Sequence, residues 1–377
     1  MTATRRGVLQ GLAAAALTPG LAQAAAGEPS LKEAAAKAGL FYGSNSESDI
    51  ATAPAAYRAL FVEQCALFGA SLNWKDLAPT RDGADPAHEP ANTRFAIEHG
   101  LDLTGGHLLW FESIPSWFAA LDDPVQIQAA ALSHIAAAVG HYKGQVFAWN
   151  VVNEALKPGD GRPDGLRQSL LLKRLGPDFF SIAFQAARRA DPGAFLVYND
   201  YDLEMDRPDH EAKRTALLHL LDRFAADEAP VDAVGLQSHL ALDGSSRFDE
   251  KRYRAFLAEL ASRKLRIIIS ELDVVDVAAP TDHAARDQAV ADLYARFLAT
   301  ALDERAVMAV VTWGLSDRYT WLIPSNSPKY ARADGEAGRP LPFDDAFAPK
   351  PAFDAVRRAF EQAPIRDAAR RRDPSVK

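Results

Sequence analysis

Short apolar runs rich in β-branched and aromatic residues alternate along the chain with longer segments of helical periodicity. Eight strand–helix units in strict alternation predict a parallel α/β sheet. The runs predicted as strands are Leu40–Ser44, Ala70–Trp74, Leu101–Trp110, Val146–Asn153, Ala194–Asn199, Ala233–His239, Ile267–Leu272 and Met308–Gly314. The helical patterns that follow them begin near Ala55, Ala91, Val125, Pro177, His210, Asp249, Ala285 and Pro351.

The number of units favours a closed barrel over an open sheet. Several of the predicted strands, such as the one that includes Arg266–Ser270, are apolar on both faces, which is typical of buried parallel strands. Eight units in about 340 residues predict a single (β/α)8 TIM barrel. The alternative is an open doubly wound sheet, but neither GxGxxG nor GxxxxGK[ST] follows the first strand.

The N-terminus has the features of an export signal. Arg5 and Arg6 precede an apolar, alanine-rich stretch, and Ala22–Ala24 is a small-x-small cleavage pattern. This pattern predicts a twin-arginine signal and a periplasmic or secreted protein, with a short amphipathic helix as the alternative. The predicted organisation is a signal at residues 1–24, one barrel domain at 25–365 and a charged, solvated tail at 366–377.

Charge and cysteine content exclude several classes of partner. The 377 residues carry a net charge of −8, which becomes −10 without the two signal arginines, so nucleic-acid or anionic-membrane binding is not expected. Cys65 is the single cysteine and cannot form an intrachain disulfide. The histidines show no HxH or HExxH spacing, which argues against a metal-dependent barrel hydrolase, so no metal and no cofactor are expected.

Two carboxylates follow predicted strands at the positions where barrel enzymes place reactive groups. Glu154 ends the fourth strand, and Glu271 ends the seventh, each directly after an apolar run. A helix cap or a loop salt bridge would explain either residue alone. A pair on two strands matches glycoside hydrolysis, in which one carboxyl group protonates the leaving oxygen and the other attacks the anomeric carbon.

The motifs around these carboxylates resemble, in order, those of glycoside hydrolase family 10, the endo-β-1,4-xylanase family. The resemblance extends over nearly the whole chain after the signal. The matching segments are Phe41–Gly43, Gly106–Trp110, Pro115–Trp117, Trp149–Glu154, Tyr198–Tyr201, Gly235–His239, Ser270–Asp273, Thr312–Gly314 with Asp317, and Pro349–Phe353.

The resemblance implies a role for each matching residue. Glu154 would be the general acid/base and Glu271 the nucleophile of a retaining reaction, with their carboxyl groups about 5–5.5 Å apart. The pKa of Glu154 should be raised by its surroundings. The residues implied to contact sugar, or to line the cavity, are Asn153, Gln237, His239, Trp313, Trp321, Tyr198, Asn199 and Trp110, and Asp273 is expected to support them from behind.

The first departure from the family pattern is at the end of the second strand. The family has Glu-Asn-x-x-Lys-Trp there, and these side chains build the glycone-side −2 subsite. This chain has Gly69-Ala70-Ser71-Leu72-Asn73-Trp74, with Asn73 at the lysine position. The −2 subsite is therefore expected to be altered.

Two further departures concern histidines. The family histidine on the third strand aligns with Gly106, and His107 follows one residue later, so either a bulge returns His107 to the cavity or the contact is lost. Asn150 stands where the family has an aspartate that charges the strand-six histidine. We expect Asn150 to hydrogen-bond His239 without charging it, which would leave His239 less readily protonated.

The expected function is hydrolysis of β-1,4-xylosidic bonds in xylan or xylo-oligosaccharides by a monomer, through a covalent glycosyl-enzyme intermediate. One alternative keeps the mechanism but acts on another short or decorated β-glycan. The other is a catalytically weak glycan-binding protein on the same scaffold.

Overall fold

The structure, a computed structural model, describes residues 28–81, 90–244 and 247–370. The predicted signal at residues 1–24 and the last part of the predicted tail, 371–377, lie outside the described residues. Within the described ranges, no helix combines the length and the apolar character needed to cross a bilayer.

Ten strands and twelve α-helices alternate along the described chain. The strands are β1 (Phe41–Asn45), β2 (Leu67–Ser71), β3 (Asp102–Gly106), β4 (Leu109–Trp110), β5 (Val146–Asn153), β6 (Phe195–Asp200), β7 (Ala233–Leu236), β8 (His239–Ala241), β9 (Arg266–Val275) and β10 (Val307–Thr312). The helices are α1 (Leu31–Lys37), α2 (Ala55–Gln64), α3 (Trp74–Leu77), α4 (Ala91–Glu98), α5 (Ser116–Ala119), α6 (Pro124–His141), α7 (Leu170–Leu175), α8 (Phe179–Ala190), α9 (Pro208–Ala226), α10 (Glu250–Ser262), α11 (His283–Leu302) and α12 (Pro351–Gln362).

The strands close into a parallel barrel. The order is β10-β1-β2-β3-β5-β6-β7-β9, and β10 also pairs with β9, which closes the circle of eight. The third and sixth barrel strands are each interrupted, and the short strands β4 and β8 continue them beside β5 and β9. The predicted single (β/α)8 barrel is confirmed.

The predicted bounds of the second strand, Ala70–Trp74, are wrong, because they lie about three residues too late in the chain. The strand is Leu67–Ser71, and Trp74 begins the short helix α3. The apolar alternation of these residues misled the prediction, because Trp74 is buried for a different reason: its ring packs against Phe118 and stacks on His134 at 4.6 Å. Trp74 therefore packs beneath the end of the barrel.

Apolar side chains fill the barrel interior. They come from alternate positions of several strands, as expected where inward and outward residues alternate. The buried set includes Leu67, Phe195, Val197, Ile268, Ala309 and Val311. A second apolar layer lies between the strands and the helices. The interior is therefore solid below the strand ends, and polar chemistry is restricted to those ends.

The start of the C-terminal tail is not a free, solvated end, contrary to the expectation for residues 366–377. The half-buried Arg366 guanidinium donates to the backbone carbonyls of Leu302, Glu304 and Val307, at 2.6–2.9 Å. Its backbone N–H donates to Ala38. Ala369 is buried in the cluster of apolar residues that fills the barrel. The segment through Ala369 thus covers the amino-terminal end of the barrel.

Replacing this arginine tests the anchor. We expect Arg366→Ala to lower the free energy of unfolding by about 2–4 kcal/mol, because three backbone carbonyls lose a charged donor. Urea denaturation measures the change, with the exposed Arg358→Ala as the control. Equal unfolding free energies for the two variants would show that the segment is not anchored through Arg366.

Candidate active site

A cavity of about 990 Å³ opens where the strands end. Its floor reaches the barrel interior at Ala148, Ile268 and Val311, and its walls contain both Glu154 and Glu271. A concave site with a few convergent polar groups is the usual form of a small-molecule or oligosaccharide site.

Glu154 is held by an unusual backbone conformation directly after β5. Its φ of 55° is left-handed, which costs a non-glycine residue on the order of 1 kcal/mol and persists only where neighbours enforce it. Two hydrogen bonds to neighbouring residues enforce it here: the Glu154 N–H donates to the Asn199 carbonyl, and the Glu154 carbonyl accepts from Arg167 Nε. The carboxyl group is thereby directed into the cavity.

The surroundings of Glu154 favour its protonated form. Burial is the largest cause, and the charges of Asp200 and Glu271 add to it, so that the pKa of Glu154 is raised to about 7. The hydrogen bond from Gln237 Nε2, at 3.0 Å from Oε1, opposes this shift because it stabilises the ionised form. Asn153 Nδ2 donates to the same oxygen at 3.0 Å.

Glu271 lies across the cavity and accepts hydrogen bonds at both carboxylate oxygens. Asn199 Nδ2 donates to Oε1 at 2.8 Å, and His239 Nε2 lies 3.3 Å from Oε2. Contacts at both oxygens fix the orientation of the carboxylate. Glu271 is 5 % exposed, so its position is set by these contacts and by the end of β9.

The amide of Asn199 connects the two halves of the site. Its Nδ2 also donates to Asn153 Oδ1 at 2.8 Å, and Asn153 in turn donates to Glu154. Ser270 Oγ donates to Asn199 Oδ1 at 2.6 Å and fixes which end of the amide faces the carboxylates. Asn199 is fully buried, so it supports the carboxylates from below, and the predicted direct contact with sugar is not what the structure shows.

His239 is charged by Asp273, and the expectation about Asn150 is wrong. His239 Nδ1 donates to Asp273 Oδ1 at 2.9 Å, and Asn150 lies elsewhere on the cavity wall. Burial disfavours the imidazolium, but Asp273 and Glu271 outweigh burial and hold the pKa of His239 well above its ordinary value. Because two carboxylates already face His239, it does not need a charge at position 150.

Comparison with known proteins identifies the family of this chain. The sequence model of Glycosyl hydrolase family 10 matches residues 30–359. This chain belongs to glycosyl hydrolase family 10.

Among the curated relatives of this family 10 chain are endo-1,4-beta-xylanase B of Thermotoga neapolitana, 27% identical over 78% of this chain and 80% of the relative, and endo-1,4-beta-xylanase 3 of Hypocrea jecorina, 30% identical over 76% and 72%. Among solved structures, xylanase 10B of Thermotoga maritima has a TM-score of 0.77 at 27% identity, covering 88% of this chain and 98% of that one. The structure of xylanase 10B of Thermotoga petrophila in complex with xylobiose has a TM-score of 0.78 at 26% identity, covering 89% and 98%.

The indole rings of this family 10 site are placed largely as the sequence suggests. Trp313, Trp321 and Trp110 all line the cavity. The Trp321 Nε1 donates to Asp273 Oδ2 at 2.7 Å, and its ring lies 5.1 Å from that of His239. Asp273 therefore orients both a cationic side chain and an aromatic wall.

Tyr198 is not a sugar contact, which corrects the prediction. It is fully buried, and its hydroxyl donates to Asp200 behind the strand. Tyr201 lines the cavity in its place. Side chains alternate between the two faces of a strand, so Asn199 and Tyr201 share the inward face of β6 and its extension, while Tyr198 and Asp200 face outward. The period-2 rule would have identified Tyr201 from the sequence.

His107 reaches the cavity, which decides between the two outcomes left open by the sequence. β3 ends at Gly106 and β4 begins at Leu109, so the strand alternation is interrupted where His107 lies. The peptide bond between Gly106 and His107 is cis. The His107 backbone N–H donates to Asn73 Oδ1 at 2.9 Å, and both residues line the cavity. Burial lowers the pKa of His107, so its ring is neutral.

Further residues that line the cavity were not predicted, among them Arg167, Phe111 and Glu47. Arg167 packs over the ring of Phe111 at 4.1 Å and donates to the Tyr201 hydroxyl, and Glu47 follows β1 on the opposite wall. Glu47 and Arg167 lie in connections whose course the sequence does not reveal. Among the described residues, no cluster of three or more His, Cys, Asp or Glu side chains could hold a metal ion.

The pKa of Glu154 predicts the pH dependence of the reaction. With Glu154 as the expected general acid, the free enzyme would need it protonated, so kcat/KM should fall as pH rises through about 7. Gln237→Leu removes a donor that stabilises the ionised form, so the midpoint of this alkaline limb should move to higher pH. Initial rates across pH measure it, with the exposed Gln288→Leu as the control. A midpoint unchanged in Gln237→Leu would contradict the assignment of the limb to Glu154.

Proposed function

We propose that this protein is a retaining glycosidase that hydrolyses β-1,4-xylosidic bonds in xylan or xylo-oligosaccharides. The observation that carries this proposal is the unequal pair of carboxyl groups. Glu154 is protonated near neutral pH, and Glu271 accepts from Asn199 and from a charged His239. One acid and one nucleophile facing a single cavity are the requirements of the reaction.

In the first step, Glu154 donates its proton to the glycosidic oxygen while Glu271 attacks the anomeric carbon. The aglycone leaves as an alcohol, and Glu271 becomes a neutral ester. Because the charge of Glu271 raises the pKa of Glu154, ester formation lowers that pKa. Glu154 is then ionised and takes a proton from the water that hydrolyses the ester, and two displacements retain the configuration.

Xylan is supported as the substrate class by the relatives. Several of them are named endo-1,4-beta-xylanases, and one solved structure similar to this chain contains xylobiose. A specific observation also favours a narrower substrate, a short or decorated β-glycan, because the β2 end offers only Gly69, Ala70 and Ser71 to the cavity. A protein that only binds glycans would not need carboxyl groups with such different surroundings.

Both carboxylates line one cavity of this chain, and we infer that the enzyme acts as a monomer. We infer export through the twin-arginine route from Arg5, Arg6 and the apolar stretch after them, which places the enzyme where polysaccharide is found.

Glycoside assays test the proposed reaction. We expect the wild type to release sugars from xylan and nitrophenol from an aryl β-xylobioside, and Glu271→Ala to lose more than about a thousandfold in rate. Glu154→Ala should lose roughly 10²–10⁴-fold on xylan and less on aryl glycosides, whose leaving groups need little protonation. Glu98→Gln, on the exposed face of α4, is the control.

The stereochemistry provides a second readout of the same proposal. NMR spectra of the first-formed product should show the β-anomer before mutarotation. An α-anomer, or a wild type inactive on every β-1,4-glycan tested, would reject the proposed mechanism or activity.

Export has a separate test. Replacing both arginines, as Arg5→Lys with Arg6→Lys, should leave the protein in the cytoplasm, since the paired arginines are the recognised feature. Activity in separated cell fractions measures this. Unchanged export of the doubly substituted protein would show that another route is used.

A further inference from the structure

The β2 end of the cavity is a floor without large side chains. Gly69, Ala70 and Ser71 form it, with Glu47 after β1 on one side and His107 after β3 on the other. Neighbouring strands lie about 4.8 Å apart, so this arrangement is a trough roughly two strands wide. We call these five residues, together with Asn73, the trough.

The glycine in the floor is linked to Asn45 on the neighbouring strand. Asn45 pairs with Gly69, and a Cβ placed on Gly69 would come within 2.9 Å of the Asn45 Cβ. No side chain fits at position 69 unless Asn45 moves. The side chain of Asn45, on β1, therefore occupies the space next to Gly69. The polar group that reaches this part of the cavity comes from the residues that follow β1.

Glu47 is that polar group. Its Oε1 accepts from Asn45 Nδ2 at 2.9 Å, which orients the carboxylate, and Oε2 has no hydrogen bond within the described part of the chain. The side chain is exposed to the cavity, so a ligand can reach it. Across the trough lies His107, which is only 8 % exposed. Its Nδ1 atom is buried and has no hydrogen-bond partner among the described residues.

The trough lies on the glycone side of the scissile bond. Glu47 follows β1, which pairs with β10, and β10 pairs in turn with β9, the strand that carries Glu271; Glu47, Glu271 and His239 line the same cavity. A nucleophile contacts the sugar whose anomeric carbon is attacked, whereas the acid faces the leaving group. Groups on the nucleophile's side therefore meet the sugar units that precede the bond being cleaved.

We propose that Glu47, oriented by Asn45, binds hydroxyl groups of the sugar next to the one attacked, and so rebuilds from β1 the glycone subsite that β2 lacks. The inference rests on the proposed function. A carboxylate with a free oxygen accepts hydrogen bonds from sugar hydroxyls, and the neutral ring of His107 bounds the opposite side of the trough. Glu47 thereby determines how strongly a second xylose unit is recognised.

Two glycosides that differ by one sugar test this. Dinitrophenyl β-xyloside fills only the position of the attacked sugar, whereas dinitrophenyl β-xylobioside also fills the trough. We expect Glu47→Ala to lower kcat/KM on the xylobioside about tenfold to a hundredfold, mainly through KM, and to leave the xyloside within about twofold. Glu47→Gln keeps the shape and one acceptor oxygen, so its loss should be smaller.

The xyloside rate also reports whether each variant is folded, and Glu98→Gln is the control for the loss of one carboxylate. Equal losses on the two substrates, or no loss on either, would overturn the assignment of Glu47 to this subsite. A wild type that hydrolyses neither glycoside would instead overturn the proposed function itself, so the two failures are distinguishable.

Discussion

The Asn199 amide donates both to Glu271 and to Asn153, which in turn donates to Glu154, and this chain of hydrogen bonds holds two carboxyl groups in one cavity. Like charges at such a site raise the proton affinity of at least one member. The protein directs that effect onto Glu154, which burial already disfavours as an anion. Glu271 receives the cationic partner, His239, whose charge depends on Asp273. The division of roles therefore follows from where the compensating charge is placed.

The barrel makes this division possible because it brings the ends of β5, β6 and β9 together. Each strand contributes a different component: Glu154, the proposed acid, follows β5, the bridging amide of Asn199 lies on β6, and Glu271, the proposed nucleophile, lies on β9. The barrel interior below these groups is apolar and buried, so it offers them no water and no alternative hydrogen-bond partners. Asp273 also accepts from Trp321, which couples the charge on His239 to the position of an aromatic wall.

Much of the fold, and the presence of Glu154 and Glu271 in one cavity, could be predicted from the sequence because both depend on local patterns. Strand–helix alternation gave the barrel, and polar residues at strand ends gave Glu154 and Glu271. The errors arose where a distant contact decides the outcome. Asp273, remote from position 150, charges His239, and contacts with Phe118 and His134 explain the burial of Trp74. Tyr198 was a different kind of error, since strand alternation alone places it on the outer face.

The altered β2 end illustrates why a missing motif is weak evidence for a missing subsite. A sequence comparison aligns positions along one strand, whereas a ligand meets whatever side chains enter the same volume. Gly69 and Asn45 cannot both be large, because their Cβ positions would be 2.9 Å apart. Because position 69 on β2 is a glycine, Asn45 of β1 occupies the space beside it. Glu47, two residues after Asn45, brings a carboxylate to the wall of the cavity that also contains Glu271. On the proposal for Glu47, substrate recognition in this barrel depends on the pair of neighbouring strands, and neither strand's motif determines it alone.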